Sequence, residues 1–412
     1  MIETELHQTE IEAFQAQALI EEARRLHRRR QRRLVFRLIA AVLLIGIAAS
    51  AIALSISRSP HAATTLPRFG GPTTSTNNTA YITTSEGILK VSLASKKVVE
   101  RITLRGSNYA LGPIAIAPGA RTAYVVSDNL FTPISLASGS AKTPISLGSS
   151  TEETADSTGF PSSIAIAPNG RTAYVAIPGN GTIVPVHLAP LAAASPILLG
   201  GTPQSITIAP DGETAYVTNP ASNAIDVINL ATDSADLPIN GIVDPQEIAI
   251  TPNGTRAYVS TGTANGGPAG GSVVPIELPS EKVLAPITGT AGSMSAGFVP
   301  GPIAISPNGH SIYIANIESA TGSAAVLIVS ASSNRVIGRL GAFSGPTSIA
   351  LESDSRTLYV LNEAPSPGQV IGGGARSAVE DNALVPLDLS NGSVGTPIPL
   401  PASPRSFGIG RR

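Results

Sequence analysis

Asp244 and Glu247 stand in one short run, Asp-Pro-Gln-Glu, and are the residues of this chain best suited to acid–base chemistry. For hydrolysis a carboxylate pair is one route, and a histidine base or ligands for a divalent metal are the others. The chain supplies little of either. Of its 5 histidines, His7, His27 and His61 precede the repeated part of the sequence, so His187 and His310 are all that remain in the body. With Cys 0, disulfides, thiolate metal sites, cysteine nucleophiles and a lipid-attachment cysteine are excluded together. With Trp 0, tryptophan-based blade motifs are absent as well. Gly372 to Gly374 follow no expected strand and precede no helix, so they make no phosphate-binding loop. No catalytic constellation, cofactor or metal site is expected.

The elements that position these residues emerge from composition and repetition. Gly 40 and Pro 34 supply many turns, only 13% of residues are charged, and Ile, Val, Thr and Ala recur in short runs. That composition belongs to an all-β body that grows by repetition. A twelve-residue unit returns as IAIAPGARTAYV at Ile114, IAIAPNGRTAYV at Ile164, ITIAPDGETAYV at Ile206, IAITPNGTRAYV at Ile248 and IAISPNGHSIYI at Ile303. A sixth copy at Ile349 has lost the turn, and TAYIT at Thr79 opens the series. The tyrosines fall at 81, 124, 174, 216, 258, 313 and 359, a base period near 42 with insertions. Such a period fits a four-stranded propeller blade, and seven tyrosines give seven blades.

The ends of the series complement each other. SPRSFGIG, from Ser403 to Gly410, matches the first half of the unit and stops, whereas Thr79 begins at the second half. A C-terminal strand completing the blade begun by the N-terminal strands would close the ring and protect its edges. Within the blade around Tyr216 the expected strands are Ile206 to Ala209, Thr214 to Thr218, Ala224 to Asn229 and Asp236 to Ile239, with the tyrosine packed between blades.

This topology places a site. Long insertions occur at 148–160 and 290–301, leading into innermost strands, and at 261–271 and 362–382, between second and third strands. Because strands alternate in direction, both kinds share one face of the disc, the usual arrangement for a binding face. Residues leading into the innermost strands ring the channel mouth there. Ser163, Gln204, Asp244, Gln246, Glu247, Thr347 and Arg405 are the candidate ligand-binding set, with Ser162, Ser205, Ser348 and Ser406 beside them. The set is polar and weakly charged, suited to a glycan or to a loop of a partner. His187, near the outer strands, and His310, on the opposite face, stand apart from it.

The first 78 residues are different. Twenty uncharged residues between Arg37 and Arg58 would span a hydrocarbon core of about 30 Å at about 1.5 Å per residue. The arginine-rich stretch from Arg24 to Arg33 would stay cytoplasmic by the positive-inside bias. The expected organisation is a cytoplasmic basic helical segment at 1–33, a single-pass transmembrane helix at 34–57, a Pro/Gly/Ser/Thr linker at 58–78, and an extracytoplasmic propeller at 79–410. A cleaved signal, with the propeller secreted, is the alternative. Beyond residue 37 the chain holds 19 cations and 22 anions, so no nucleic-acid partner is expected.

The repeats resemble the bacterial surface propellers named for the tetrapeptide Tyr-Val-Thr-Asn. It stands here at Tyr216 to Asn219, with variants at Tyr313 to Asn316 and Tyr359 to Asn362, and the resemblance covers 79–410. It implies a seven-bladed ring in an extracytoplasmic or cell-surface setting rather than a reaction. Four blades carry Thr83, Ser127, Ile177 and Thr261 in place of the asparagine. More distant propellers by architecture include lactonases. Three functions therefore stand beside one another: a membrane-anchored binding module for a cell-envelope polymer or protein partner, a propeller hydrolase of lactonase type, and a sensor coupling the propeller to the cytoplasmic helix.

Overall fold

A computed structural model describes residues 79–104, 111–148, 161–262, 271–287, 299–318, 324–343, 345–352, 356–363 and 382–410. The cytoplasmic segment, membrane helix and linker expected at 1–78, and most of each insertion, lie outside the described residues. Among the described residues no helix is long and apolar enough to cross a membrane. The described chain forms seven antiparallel sheets, each one blade.

Blade 1 closes the ring. Its order from the outside is Lys97–Ile102, Gly87–Ser92, Thr79–Thr84 and then Pro404–Gly410 as the innermost strand. The register Thr79↔Gly410, Tyr81↔Gly408 and Thr83↔Ser406 joins the two ends of the propeller. The other six blades run in chain order, with innermost strands Ile114–Ile116, Ser163–Ile166, Ile206–Ile208, Pro245–Ile250, Val299–Ile305 and Pro346–Leu351.

Alternating side chains explain why the blades stack. In blade 4, Ile206 and Ile208 pack toward blade 3 and its Tyr174, whereas Ala209 packs toward blade 5. Large residues on one side and small ones on the other fit the narrowing space near the axis. Seven hydrophobic clusters result, each shared by two consecutive blades and each holding one recurring tyrosine. The tyrosine hydroxyls reach on to the next blade: Tyr174 Oη donates to Asp233 Oδ1 at 2.8 Å, and Tyr258 Oη to Asn334 Oδ1 at 3.3 Å. Burial and the nearby Glu281 and Asp211 carboxylates push the Tyr216 hydroxyl up to about 12, so it stays a neutral packing group.

One expectation needs correction. The outer strand expected at Asp236 to Ile239 is broken into Ser234–Ala235 and Ile239–Asn240, with Pro238 between the pieces. The same break recurs around Pro144 and Pro196, and pairing is likewise interrupted around Pro286 and Pro397. Proline lacks the N–H an edge strand would offer a neighbour, so these edges cannot extend into another sheet. Blades 1 and 6, with no such proline, keep continuous outer strands at Lys97–Ile102 and Arg335–Phe343.

Candidate functional site at the channel mouth

Each innermost strand is approached through a short lead-in. These read Pro161-Ser162-Ser163, Pro203-Gln204-Ser205, Pro245-Gln246-Glu247, Pro346-Thr347-Ser348 and Pro404-Arg405-Ser406, with Leu111-Gly112-Pro113 and Pro300-Gly301-Pro302 in blades 2 and 6. Proline fixes its own φ and withholds a ladder donor, so the chain arrives before regular pairing begins. In blades 1, 5, 6 and 7 the register slips at the lead-in, a bulge that turns side chains away from the regular pleat.

The lead-ins and the turns after the second strands enclose a cavity of about 930 Å3. Ser163, Gln204, Glu247, Thr347 and Arg405 line it, together with Ser162, Ser348, Ser406, Thr202 and Asp128. Aliphatic wall comes from Ile114, Ile164, Ile303 and Ile349, and from the rings of Pro113, Pro161 and Pro302. The pairs Pro245↔Thr261 and Pro346↔Asn362 put the ends of second strands beside the starts of innermost ones. Gly262 N donates to Asp244 O and Glu363 N to Gly345 O, each at 2.8 Å, where two of the insertions begin.

Side chains stitch successive lead-ins together. Ser162 Oγ donates to Gln204 O at 2.6 Å, and Ser163 Oγ accepts from Ile206 N at 3.2 Å. Ser205 Oγ donates to Glu247 Oε2 at 2.8 Å, and Glu247 N donates to Ser260 Oγ at 3.1 Å. Glu247 keeps part of its surface on the cavity while protein surrounds it on the other sides, away from bulk water. Burial pushes its carboxyl above the usual carboxylate range, and the Ser205 hydrogen bond offsets this in part.

Asp244 and Gln246 take a different place. Gln246 Nε2 donates to Asp244 Oδ1 at 2.6 Å, and Asp244 N donates to Asn223 Oδ1 at 2.9 Å. Neither residue lines the cavity with Glu247. Asp244 sits at φ 49, so it serves as the left-handed corner of its turn, a conformation that aspartate tolerates better than most residues. The two carboxylates of this loop are therefore held by different partners, one inside its own turn and one across a blade interface.

Asp128 is the charged group that sequence reasoning passed over. It occupies φ 50 in the tight turn between Thr122–Ser127 and Leu130–Ser135, and it lines the cavity. Its Oδ1 is buried without a hydrogen-bond donor, and burial raises its carboxyl. The available signal was a charged residue in a two-residue turn on the insertion-bearing face. Its neighbour Ser127 drew notice only for not being asparagine.

The Tyr-Val-Thr-Asn tetrapeptide holds the lead-in in place. Thr218 Oγ1 donates to Gln246 O of the next blade at 2.8 Å and accepts from Ser205 N at 2.9 Å. Asn219 accepts from Thr202 N and donates to Gly200 O and to Asp226 Oδ2. Asn362 does comparable work in blade 7, accepting from Gly345 N at 3.1 Å. Among the described residues, no group of three or more His, Asp or Glu side chains is close enough to hold a metal ion. His187 is exposed on a third strand, and His310 lies in a turn between first and second strands.

Fold and site together define a seven-bladed propeller with a polar, side-chain-stitched channel mouth. No family model matches the chain. No curated protein matches it either. Solved structures do. Hydrazine synthase of Kuenenia stuttgartiensis superposes with TM-score 0.59 at 18% identity, covering 74% of this chain and 92% of that one. A functionally unknown protein from Desulfotomaculum acetoxidans DSM 771 superposes with TM-score 0.61 at 17% identity, covering 81% and 99%. At such identities the likeness establishes the propeller fold and carries no activity across.

Proposed function

We propose that this chain is a non-catalytic binding module of the bacterial cell envelope, akin to the Tyr-Val-Thr-Asn surface propellers, which engages an envelope polymer or protein at the channel mouth. The observation that carries this reading is the position of the cavity. A pocket of about 930 Å3 with mixed polar and aliphatic walls opens on the face from which the insertions leave. Concave, pre-formed sites with a few fixed polar groups are where ligands bind, and insertions on one face of a repeat ring enlarge such a site.

Catalysis fits the cavity less well. Asp244 is engaged within its own turn, which leaves Glu247 without a carboxylate neighbour from its loop, and among the described residues no histidine lines the wall. A lactonase would need a base and an electrophile that this lining does not assemble. The membrane tether and the outward placement of the propeller rest on the apolar run at 34–57 and on the arginines before it.

The test uses the full-length protein and purified cell-wall sacculi. Replacing 364–381 with a short Gly-Ser link should abolish co-sedimentation with the sacculi while thermal unfolding stays cooperative. Full binding after that change and after the same treatment of 263–270 would overturn the site. For the tether, a protease added outside intact cells should remove the propeller. Complete protection in intact cells, lost on lysis, would overturn the outward orientation.

A further inference from the structure

Three charged side chains reach the cavity from three different blades: Arg405 from the lead-in of blade 1, Asp128 from the turn of blade 2, and Glu247 from the lead-in of blade 5. In a closed ring of seven, blade 5 lies three places from blade 1 by the shorter path, so Glu247 and Arg405 face the cavity from nearly opposite walls. Among the described residues none of the three has an ion-pair partner. Arg405 is exposed, and the buried Oδ1 of Asp128 accepts no hydrogen bond. A buried acceptor is seldom left open in a folded protein, but this one has almost no accessible surface and lies out of reach of a molecule in the cavity.

The rest of the lining narrows the chemistry of that outside group. Among the described residues no aromatic ring lines the cavity, so a sugar has no flat surface on which to lay its C–H face. What the wall offers instead is serine and threonine hydroxyls and a glutamine amide among isoleucine and proline surface. Hydroxyls and amides match a peptide backbone, aliphatic surface matches small side chains, and separated charges match the two ends of a zwitterion.

We propose that the channel mouth binds a short peptide segment carrying both charges, its carboxylate on Arg405 and its ammonium or guanidinium group on Glu247, lying across the mouth between blades 1 and 5. This rests on the channel mouth being the binding face and narrows the partner there to a peptide. The charges can come from free chain termini or from side chains within a blocked segment. The guanidinium of Arg405 suits a carboxylate through its paired donors, and the Glu247 carboxylate opposite suits a cation.

The experiment titrates the full-length protein in detergent with pools of tetrapeptides of random interior sequence, followed by calorimetry. One pool has free termini, one is N-acetylated, one C-amidated, one blocked at both ends, and one blocked at both ends with Lys and Glu as its outer residues. Binding is expected for the free pool or for the blocked Lys/Glu pool, and the pool that binds identifies the source of the charges. Loss of either charge should weaken binding about tenfold or more, the scale of one charge-assisted hydrogen bond. Arg405→Gln, at an exposed position, should erase the discrimination between free and amidated C-termini while leaving thermal unfolding unchanged. Glu247→Gln should erase the discrimination between free and acetylated N-termini. Equal binding of all five pools would overturn the proposal. So would the absence of peptide binding by protein that still sediments with sacculi, an outcome that leaves the wider function standing. If sacculi are not bound either, the binding face itself falls.

Discussion

On one face of the ring, the turns between first and second strands of blades 3, 4, 5 and 6 are built alike. In each, an Asx side chain accepts from the backbone N–H two residues on, as Asn169 does from Arg171 and Asp211 from Glu213. In each, a glycine takes the left-handed corner, Gly170 at φ 67 and Gly212 at φ 72 among them. A Cβ at Gly170 would lie 3.7 Å from the Pro118 ring of the preceding blade, so the turn also packs on its neighbour. On the other face no two of the seven lead-in triplets are the same, and the positions that are Ser, Gln, Glu, Thr or Arg in five blades become Gly-Pro in the other two. Backbone geometry repeats where only the fold is served, and side chains diverge where the cavity opens. The difference separates residues that hold the ring from residues that distinguish its ligand.

That contrast can be broken most severely at the ring's closure. Removing 404–412 takes the innermost strand from blade 1 and exposes Thr79–Thr84 as an unpaired edge. Cooperative thermal unfolding should be lost and aggregation should follow. A truncated protein that melts cooperatively near the intact one would show that closure contributes little.

The packing side comes next. Tyr258 is fully buried between blades 5 and 6, so Tyr258→Ala should cost about 3–5 kcal/mol by removing the ring from its cluster. Tyr258→Phe removes the hydroxyl with its bond to Asn334 and its interaction with Arg256, and should cost about 1 kcal/mol in denaturant unfolding. Near-equal losses for the two would mean that the hydroxyl, rather than the ring, anchors the interface. Thr218→Val deletes the hydroxyl that joins Ser205 N to Gln246 O and should cost about 1–3 kcal/mol, because both groups are left without that partner. The same change should loosen the neighbouring lead-ins, measurable as faster amide exchange at Ser205.

Glu247 should give the smallest effect on stability and the most informative one. Its carboxyl is raised in the folded protein, so between the ordinary carboxylate pKa and the folded one the native state binds more protons than the unfolded chain. The contribution of Glu247 to stability is therefore greatest below the unfolded value and falls as pH climbs through the folded value. Glu247→Gln should flatten that part of the melting temperature's pH dependence and leave the turns on the opposite face untouched. A slope unchanged in the variant would remove Glu247 as its source.

Much of the fold was legible because its signals are local or periodic. Blade number followed from the tyrosine spacing, and closure followed from two half-units that complement each other at Thr79 and Ser403. The split outer strands were missed because alternation alone cannot tell an edge strand from one interrupted by Pro238, whose effect depends on what stands beside it. At the site, the lead-in positions were foreseeable from strand order, but the partners of Asp244, Gln246 and Glu247 were not. Their side chains diverge within four residues because a left-handed corner at Asp244 and a register slip before Ile248 turn each toward a different neighbour.

By itself, then, the sequence determined the number of blades, the order of strands and the tyrosine seams, since each depends on a pattern repeated about every 42 residues. Only the tertiary structure decided which charges share the cavity. Residues 128, 247 and 405 are far apart along the chain, and they line one cavity because antiparallel pairing of the last strand with the first brings blade 1 beside blade 7 and closes the wall. Arg405, in the terminal half-unit, and Glu247, in a repeated lead-in, were legible in the sequence, whereas the turn of Asp128 joins the cavity wall only in the assembled ring.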